Sequence, residues 1–252
     1  MQFIKGGDRL LNQIIRGDCL EVMKDIPDKS IDMILCDLPY GTTACKWDTI
    51  IPFEPLWEQY ERVIKDNGAI VLTASQQFTF MMAHSCFHLF RYNMIWKKSK
   101  VTLFQHCNKR PLRNYEDVLV FYKKQPTYNP QGLKELNKKV KRKSAGKTFG
   151  DNWKSENEYT RRFTNYPTDV IDIPNEGNTI HPTQKPVALF EYLIRTYTNE
   201  GEVVLDNCIG SGTTAIACLN TGRSFIGIEK DEHYHQVATK RVQEWHDKRG
   251  LF

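Results

Sequence analysis

The sequence predicts a doubly wound α/β fold, in which helices cover both faces of a mostly parallel sheet. Along the 252 residues, short apolar runs that end in turn-forming residues alternate with amphipathic stretches, as in the β-α units of a parallel sheet. No sequence repeat recurs at a period of roughly 20 to 50 residues, so neither a solenoid nor a propeller is expected. With 40% hydrophobic residues, the chain can bury one sizeable core.

The predicted strands and helices supply both halves of such a sheet. Apolar runs predict strands at residues 13–16, 31–36, 69–73, 92–97, 118–122, 203–206 and 224–229. Amphipathic stretches predict helices at residues 19–25, 55–65, 75–87, 186–198, 213–220 and 232–245. The alternation is most regular from residue 203 onward, where strand, helix, strand and helix follow one another.

Residues 123–178 interrupt this alternation and are rich in Lys, Arg, Asn, Thr and Gly. We therefore predict one domain, residues 1–252, that carries these residues as an insertion. The whole chain has a formal net charge of only +5, so the positive charge is concentrated in the insertion. Its basic run contains one acid, Glu135, and seven cations: Lys134, Lys138, Lys139, Lys141, Arg142, Lys143 and Lys147.

Two interpretations of the basic insertion stay open. Its charges either face the solvent on a loop or neutralise the phosphates of a nucleic acid. Four aromatic residues interleave with Arg161 and Arg162: Trp153, Tyr159, Phe163 and Tyr166. Such interleaving is typical of a nucleic-acid surface, but the same rings would also suit a small core beneath the insertion.

The composition argues against a disulfide framework, a metal site and a membrane location. The seven cysteines are scattered and never form a C-x-x-C pair, so we expect reduced thiols. His181 has no second ligand-type residue at metal-binding spacing, and no metal is expected. The start lacks the apolar segment of a secretory signal, and no run of about 18 apolar residues would cross a membrane. These features predict a soluble, cytoplasmic protein.

A glycine-rich loop is the first candidate for ligand binding. Asp206 ends an apolar run, and Gly210 and Gly212 precede the next predicted helix. Glycines let the backbone turn sharply and approach a ligand, and the helix offers free N–H groups. Glu229 ends the following strand, where an acid can accept hydrogen bonds from ribose hydroxyls. The arrangement is Rossmann-like and fits an adenosine-containing cofactor.

Three interpretations of this loop stay open. It fits S-adenosylmethionine, but residues 210–215 also match the G-x-G-x-x-A fingerprint of nicotinamide and flavin dinucleotide sites, and a plain tight turn is the third option. The carboxylate of Asp206 favours S-adenosylmethionine, because it suits a positive amino group and would repel a pyrophosphate. The position of the motif favours the same cofactor, since dehydrogenases usually open with this unit and here it lies near the end.

The tetrapeptide Asp37-Leu38-Pro39-Tyr40, which follows the predicted strand at residues 31–36, is the second candidate site. Asp, Pro and a following Gly are common turn formers, so one interpretation is a simple strand-ending turn. In open α/β sheets, however, ligands bind in a crevice outside the carboxyl ends of the strands. Because the glycine loop needs the same crevice, we interpret the tetrapeptide as part of an active site.

In this order, the motifs resemble those of the beta class of DNA amino-methyltransferases, where the catalytic motif comes first, target recognition next and the cofactor motif last. The resemblance extends from residues 17–19 through DLPYG to Asp48, and from residues 181–186 to Glu229. Leu38 departs from the pattern, because the family has a proline there. The resemblance implies transfer of a methyl group from S-adenosylmethionine to the exocyclic amine of a flipped DNA base.

The resemblance also implies roles for individual residues. Asp37 and the Leu38 carbonyl would accept hydrogen bonds from the target amine, Pro39 would stiffen the turn and Tyr40 would stack on the base. Lys185 would pair with the methionine carboxylate of the cofactor. The implied cofactor-binding residues are Asp18, Cys19, Lys185, Asp206, Asn207, Gly210, Gly212, Thr213 and Glu229. Independently of the resemblance, the nucleic-acid interpretation of the basic insertion predicts these DNA-binding residues: Lys138, Lys139, Lys141, Arg142, Lys143, Arg161 and Arg162.

Within the family, an aspartate at the first position favours adenine N6, whereas a serine favours cytosine N4, so Asp37 predicts adenine. Double-stranded DNA is the implied partner, with a cognate restriction endonuclease and a second copy of the chain as further candidates. Three other functions stay open. They are an RNA or protein-glutamine methyltransferase, a nicotinamide-dependent oxidoreductase that leaves DLPYG unexplained, and a catalytically inactive DNA-binding relative in which Leu38 impairs the site.

Overall fold

The computed structural model describes residues 10–42, 45, 48–141, 158–177 and 184–250. The strands in these residues are β1 (Gln13–Arg16), β2 (Ile31–Cys36), β3 (Ile64–Ala74), β4 (Phe90–Thr102), β5 (Arg113–Phe121), β6 (Lys134–Lys141), β7 (Glu158–Thr164), β8 (Val170–Asp172), β9 (Val203–Asp206) and β10 (Ser224–Glu229). The α-helices are α1 (Cys19–Val22), α2 (Phe53–Val63), α3 (Gln77–Ser85), α4 (Val187–Tyr197), α5 (Thr213–Thr221) and α6 (Glu232–Arg249). No helix in these ranges combines the length and apolar composition needed to cross a membrane.

The described part of the chain forms an eight-stranded sheet in the order β1-β10-β9-β2-β3-β5-β4-β8. The pairs β1/β10, β10/β9, β9/β2, β2/β3 and β4/β8 are parallel, and β5 is antiparallel to β3 and β4. The predicted mostly parallel sheet is confirmed. β4 and β5 are longer than predicted, because their pairing continues through exposed polar residues that an apolar pattern does not reveal.

Helices cover both faces of the sheet because successive side chains of each strand point to opposite faces. In β2, Ile34 and Cys36 belong to the buried cluster that also holds apolar residues of α1, α2 and α3. Met33 and Leu35 of the same strand belong to a second cluster, with residues of α4 and α5. The predicted doubly wound arrangement is confirmed by these two separate cores.

Leu193 of α4 tests how much the second core contributes to stability. Its side chain is fully buried, so Leu193→Ala removes packed methyl groups and leaves a cavity. We expect the free energy of unfolding in urea to fall by about 2–5 kcal/mol. As a control, Phe80→Ala alters a side chain that is 76% exposed and should change it by less than about 0.5 kcal/mol. Equal losses in both variants would contradict the assignment of Leu193 to the core.

The direction in which the chain crosses the sheet reverses between β2 and β9. From β2 the chain continues outward to β3 on one side, whereas from β9 it continues to β10 on the other. Such a switch point opens a crevice at the carboxyl ends of the two central strands. Asp37 follows β2 and Asp206 ends β9, so the two motifs singled out in the sequence both lie at this crevice.

Residues Pro130–Thr168 form a compact unit of their own. Its described part contains the antiparallel pair β6/β7, in which Lys138 lies directly opposite Arg161. The unit is narrower than the predicted insertion at 123–178, because β8 pairs with β4 of the large sheet and Asn129 donates a backbone hydrogen bond to Thr196. With only three residues, β8 was too short to be recognised from its sequence.

The predicted DNA-binding residues fall mainly on this pair of strands. Lys138 and Lys139 of β6 and Arg161 and Arg162 of β7 are exposed. Lys141 is the last residue of β6. Arg142, Lys143, Lys147 and Trp153 lie outside the described residues. Phe163 is partly buried and Tyr166 is 55% exposed, so these two rings differ in their surroundings.

Candidate active site

Asp37, immediately after β2, is held by side chains from three separate segments. Its Oδ1 accepts hydrogen bonds from the Tyr40 hydroxyl at 2.7 Å and from the Thr73 hydroxyl. Its Oδ2 accepts one from Lys185 Nζ at 2.5 Å. Thr73 reaches Asp37 because β3 pairs with β2 so that Leu72 lies beside Cys36. The carboxylate is therefore fixed in orientation, yet Asp37 is only partly buried.

The Tyr40 ring lies against Phe78 of α3, with ring centroids 4.8 Å apart and planes inclined by 31°. Burial raises the pKa of Tyr40 well above its usual value, and the charges of Asp37 and Glu116 add to this effect. The hydroxyl therefore stays protonated and keeps donating to Asp37. Phe78 is 3% exposed, so it supports Tyr40 from the protein interior, and Tyr40 itself is only partly buried.

The turn after Tyr40 is stabilised by Asp48 and by the side chain of Leu38. Asp48 accepts hydrogen bonds from the backbone N–H groups of Gly41 at 2.8 Å and Thr42 at 2.9 Å. Leu38 is 4% exposed and packs in the first core cluster. The leucine that departs from the family pattern therefore anchors the turn by burial, where a proline would restrict its backbone.

Lys185 lies beside Asp37, and its amine forms ion pairs there. Besides its contact with Asp37, its amine is 3.3 Å from Glu116 Oε2, and the other oxygen of Glu116 pairs with Lys98. Burial alone lowers the pKa of Lys185, but the two carboxylates outweigh it and the net shift is upward. The amine is thus positively charged. This placement differs from the predicted contact with the methionine carboxylate, which stays a prediction.

Asp206, at the end of β9, is almost completely buried. Its oxygens accept hydrogen bonds from the backbone N–H of Cys208 at 3.0 Å and from the Thr214 hydroxyl. Burial nevertheless raises the pKa of Asp206 to about 6. A nearby positive group stabilises the charged form of a buried carboxylate. The amino group of a methionine-containing cofactor would provide such a group.

Gly210 and Glu229 shape the other side of the same loop. Gly210 has a φ of +53°, and a Cβ atom added to it would meet nothing within 4 Å, so there is open space beside the backbone. Glu229 Oε2 accepts a hydrogen bond from Gly210 N–H at 2.9 Å, and Oε1 accepts one from Asp231 at 2.8 Å. Gly212 has a φ of +85° and is the N-cap residue of α5. An open cradle flanked by two acids fits the amino and ribose groups of S-adenosylmethionine.

The remaining predicted cofactor-binding residues differ in accessibility. Asp18 caps α1 through the N–H of Leu20 and pairs with Lys230 at 3.0 Å, so its carboxylate lies near the surface. Cys19, Asn207 and Thr213 are 8%, 2% and 6% exposed. The amide oxygen of Asn207 accepts a 2.6 Å hydrogen bond from Tyr60. These three side chains are therefore buried.

One group in the described chain has ligand atoms close enough to hold a metal. The atoms of Glu61, Cys86 and His88 lie within 4.8 Å of one another, far from the motifs in sequence. Lys123 is 3.9 Å from Glu61 Oε2 and donates to the Glu61 carbonyl at 2.8 Å, so a cation already sits beside the carboxylate. We assign this group no catalytic role.

Sequence reasoning overlooked Thr73, Glu116 and Lys98. Thr73 could have been found as a buried polar residue near the end of an apolar run. Lys98 and Glu116 lie next to the predicted strands at 92–97 and 118–122, and their pairing became visible only when β4 and β5 were placed side by side.

Comparison with known proteins identifies the family. A model of the DNA methylase family (N6_N4_Mtase) matches residues 31–240. The chain belongs to this family. It is therefore a DNA amino-methyltransferase that depends on S-adenosylmethionine, as the resemblance predicted, and the dehydrogenase interpretation of the glycine loop is wrong.

Individual relatives can be aligned with nearly the whole chain. The Type II methyltransferase M.HinfI of Haemophilus influenzae is 28% identical over 93% of this chain and 69% of its own length. The DNA adenine methyltransferase YhdJ of Escherichia coli K12 is 29% identical over 91% of this chain and 82% of its own length. The structure of the M1.HpyAVI–SAM complex is similar with a TM-score of 0.63 and 28% identity, covering 91% of this chain and 98% of the other.

Proposed function

We propose that this methyltransferase modifies N6 of adenine in double-stranded DNA. The observation that carries the proposal is the Asp37–Tyr40 pair at the end of β2, next to the Asp206 loop at the end of β9. The carboxylate and the cofactor loop thus border the same crevice. The adenine specificity named for YhdJ supports the choice of base.

When bound, S-adenosylmethionine would supply an activated methyl group. N6 would form the new bond to the methyl carbon, the bonding pair would stay on the departing sulfur, and the amine would release one proton to solvent. The lone pair of N6 is delocalised into the ring, so the amine is a weak nucleophile. Asp37 and the Leu38 carbonyl would accept its hydrogen bonds, draw it toward tetrahedral geometry and stabilise the developing positive charge. Tyr40, supported by Phe78, would stack on the flipped base and align the amine.

The proposal is tested by incubating the protein with tritiated S-adenosylmethionine and unmethylated genomic DNA. Digestion to nucleosides should place the label in N6-methyladenine. Label in N4-methylcytosine would correct the base, and label in RNA or protein, with none in DNA at low salt, would refute the proposal.

The exposed cations of β6 and β7 are proposed to contact DNA phosphates. Because Lys138 and Arg161 lie directly opposite one another, their repulsion destabilises the free strand pair and a bound anion relieves it. Neutralising Lys138, Lys139, Arg161 and Arg162 to Gln should weaken DNA binding. The slope of log affinity against log salt should flatten by about 1 for each phosphate that the variant no longer neutralises. Fluorescence anisotropy at several salt concentrations measures both quantities.

A matched control neutralises four exposed cations elsewhere, Lys24, Lys240, Lys248 and Arg249. This variant should keep the salt slope of the wild type. If both quadruple variants have the wild-type slope, the basic strands are solvent-facing only.

Two further partners stay predictions. A cognate restriction endonuclease is supported by the similarity to M.HinfI, which is named a Type II methyltransferase. A restriction endonuclease that cleaves unmethylated DNA, but not DNA methylated by this enzyme, would be such a partner. Sedimentation of the purified protein tests whether two copies of the chain associate.

A further inference from the structure

Four charged side chains of alternating sign form a continuous chain that begins at the catalytic carboxylate. In order they are Asp37, Lys185, Glu116 and Lys98. Lys185, Glu116 and Lys98 have side chains only 5%, 10% and 12% exposed, and that of Asp37 is 24% exposed. Ionised groups this deeply buried persist only when they are paired, so each member depends on its neighbours.

Lys185 donates to Asp37 Oδ2, so its ammonium lies beside the acceptor position that the target amine would use. Asp37 Oδ1 already accepts hydrogen bonds from Tyr40 and Thr73, and Oδ2 accepts one from Lys185. The ammonium also opposes catalysis electrostatically, because it would lie beside an amine nitrogen that becomes positive in the transition state. Methyl transfer is therefore favoured when the ammonium of Lys185 moves away from Oδ2.

Glu116 offers the released amine a second partner without a long movement. Its Oε2 is 3.3 Å from Lys185 Nζ and, in the described part of the chain, lacks a hydrogen bond of good geometry. Its other oxygen is held by Lys98, whose amine also lies 5.3 Å from the centre of the Trp96 ring. One carboxylate oxygen of Glu116 is thus held by Lys98, and the other can accept a hydrogen bond from Lys185.

We propose that Lys185 shifts its hydrogen bond from Asp37 to Glu116 when the target base enters, so that Glu116 controls access to the catalytic carboxylate. This inference rests on the proposed function and adds two positioning residues, Lys185 and Glu116, to the site. The positive charge stays buried and paired throughout, because one carboxylate replaces the other as its partner. Asp37 then presents Oδ2 to the amine.

The test uses Glu116→Gln, which keeps the shape of the side chain but removes the charge that attracts Lys185. Lys185 should then stay on Asp37. We expect the single-turnover rate on a duplex that contains a sequence methylated by the wild type to fall by roughly 10- to 100-fold, with unchanged affinity for S-adenosylmethionine. With 2-aminopurine at the target position, the fluorescence gain that reports a base held out of the stack should also fall.

The double variant Glu116→Gln/Lys185→Gln separates this inference from a merely structural role. If Lys185 blocks Asp37 in the single variant, removing its charge should raise both the rate and the fluorescence gain above those of Glu116→Gln alone. A double variant no better than Glu116→Gln would overturn the inference, even with a wild type that methylates DNA normally. Failure of the wild type to label DNA would instead refute the proposed function.

Asp172→Asn is the matched control, because Asp172 pairs with Lys97 on β4, next to Lys98, but is 71% exposed. It should behave like the wild type in both measurements. Far-UV circular dichroism and thermal melting of all variants exclude misfolding as the cause of a lower rate, and an equal rate loss in Asp172→Asn would also overturn the inference.

Discussion

Asp37→Ala is expected to lower the single-turnover rate of methyl transfer by at least about 10³-fold, while cofactor affinity changes little. Removing one preorganised group that stabilises developing charge typically costs about 10²- to 10³-fold, and this variant also releases Tyr40, Thr73 and Lys185. Cofactor affinity should persist because the Asp206 loop is held by its own contacts. Tritium transfer and isothermal titration with S-adenosylmethionine measure the two effects.

Asp37→Asn is the isosteric companion to this variant and should be nearly as inactive, since an amide accepts more weakly and carries no charge. Asp66→Asn is the control, because Asp66 pairs with Lys29 and Lys124 at the surface. Loss of cofactor affinity in the Asp37 variants, with DNA binding and base flipping preserved, would assign Asp37 to the cofactor instead.

Asp206→Asn is expected to stabilise the unliganded protein and to abolish most of its affinity for S-adenosylmethionine. Burial raises the pKa of Asp206 from 3.8 to about 6. Each tenfold change in proton affinity is worth about 1.4 kcal/mol, so the buried charge destabilises the fold by up to about 3 kcal/mol at pH 7. The asparagine keeps the shape and the backbone hydrogen bond but removes that charge.

The pH dependence has a definite sign. Below pH 3.8 the carboxyl is protonated in both the folded and the unfolded chain, so its raised pKa has no effect. The destabilisation grows as the pH rises from 3.8 to about 6 and is complete above that. Asp206→Asn should therefore gain more stability at pH 8 than at pH 5, and its melting temperature should rise by about 2–4 °C for each kcal/mol.

Denaturation in urea at both pH values, with and without S-adenosylmethionine, tests these expectations. The cofactor should stabilise the wild type and have little effect on Asp206→Asn. A variant that is less stable than the wild type at pH 8, or equally stabilised at pH 5 and pH 8, would show that the charge of Asp206 does not strain the unliganded fold.

Most of the fold could be predicted because its signals are local. The buried strands β2, β9 and β10 contain continuous apolar runs, and their predicted bounds agree with the structure. The glycines of the cofactor loop predicted a turn, because glycine adopts a positive φ without strain. Gly210 and Gly212 both have a positive φ. The longer extent of β4 and β5 could not be predicted, since their outer parts are held by backbone pairing and not by a buried apolar face.

The sequence by itself therefore determined the order of the motifs, the parallel sheet and the positions of Asp37 and Asp206 at the ends of strands. Only the tertiary structure decided which side chains meet there, including Thr73, Glu116 and the lysine 148 positions away from Asp37. It also decided that the compact second unit covers Pro130–Thr168. The physical reason is the sequence range of the interactions. Apolar periodicity and turn chemistry depend on residues that are close in sequence. The ion pairs of a buried charge depend on which distant strands lie side by side.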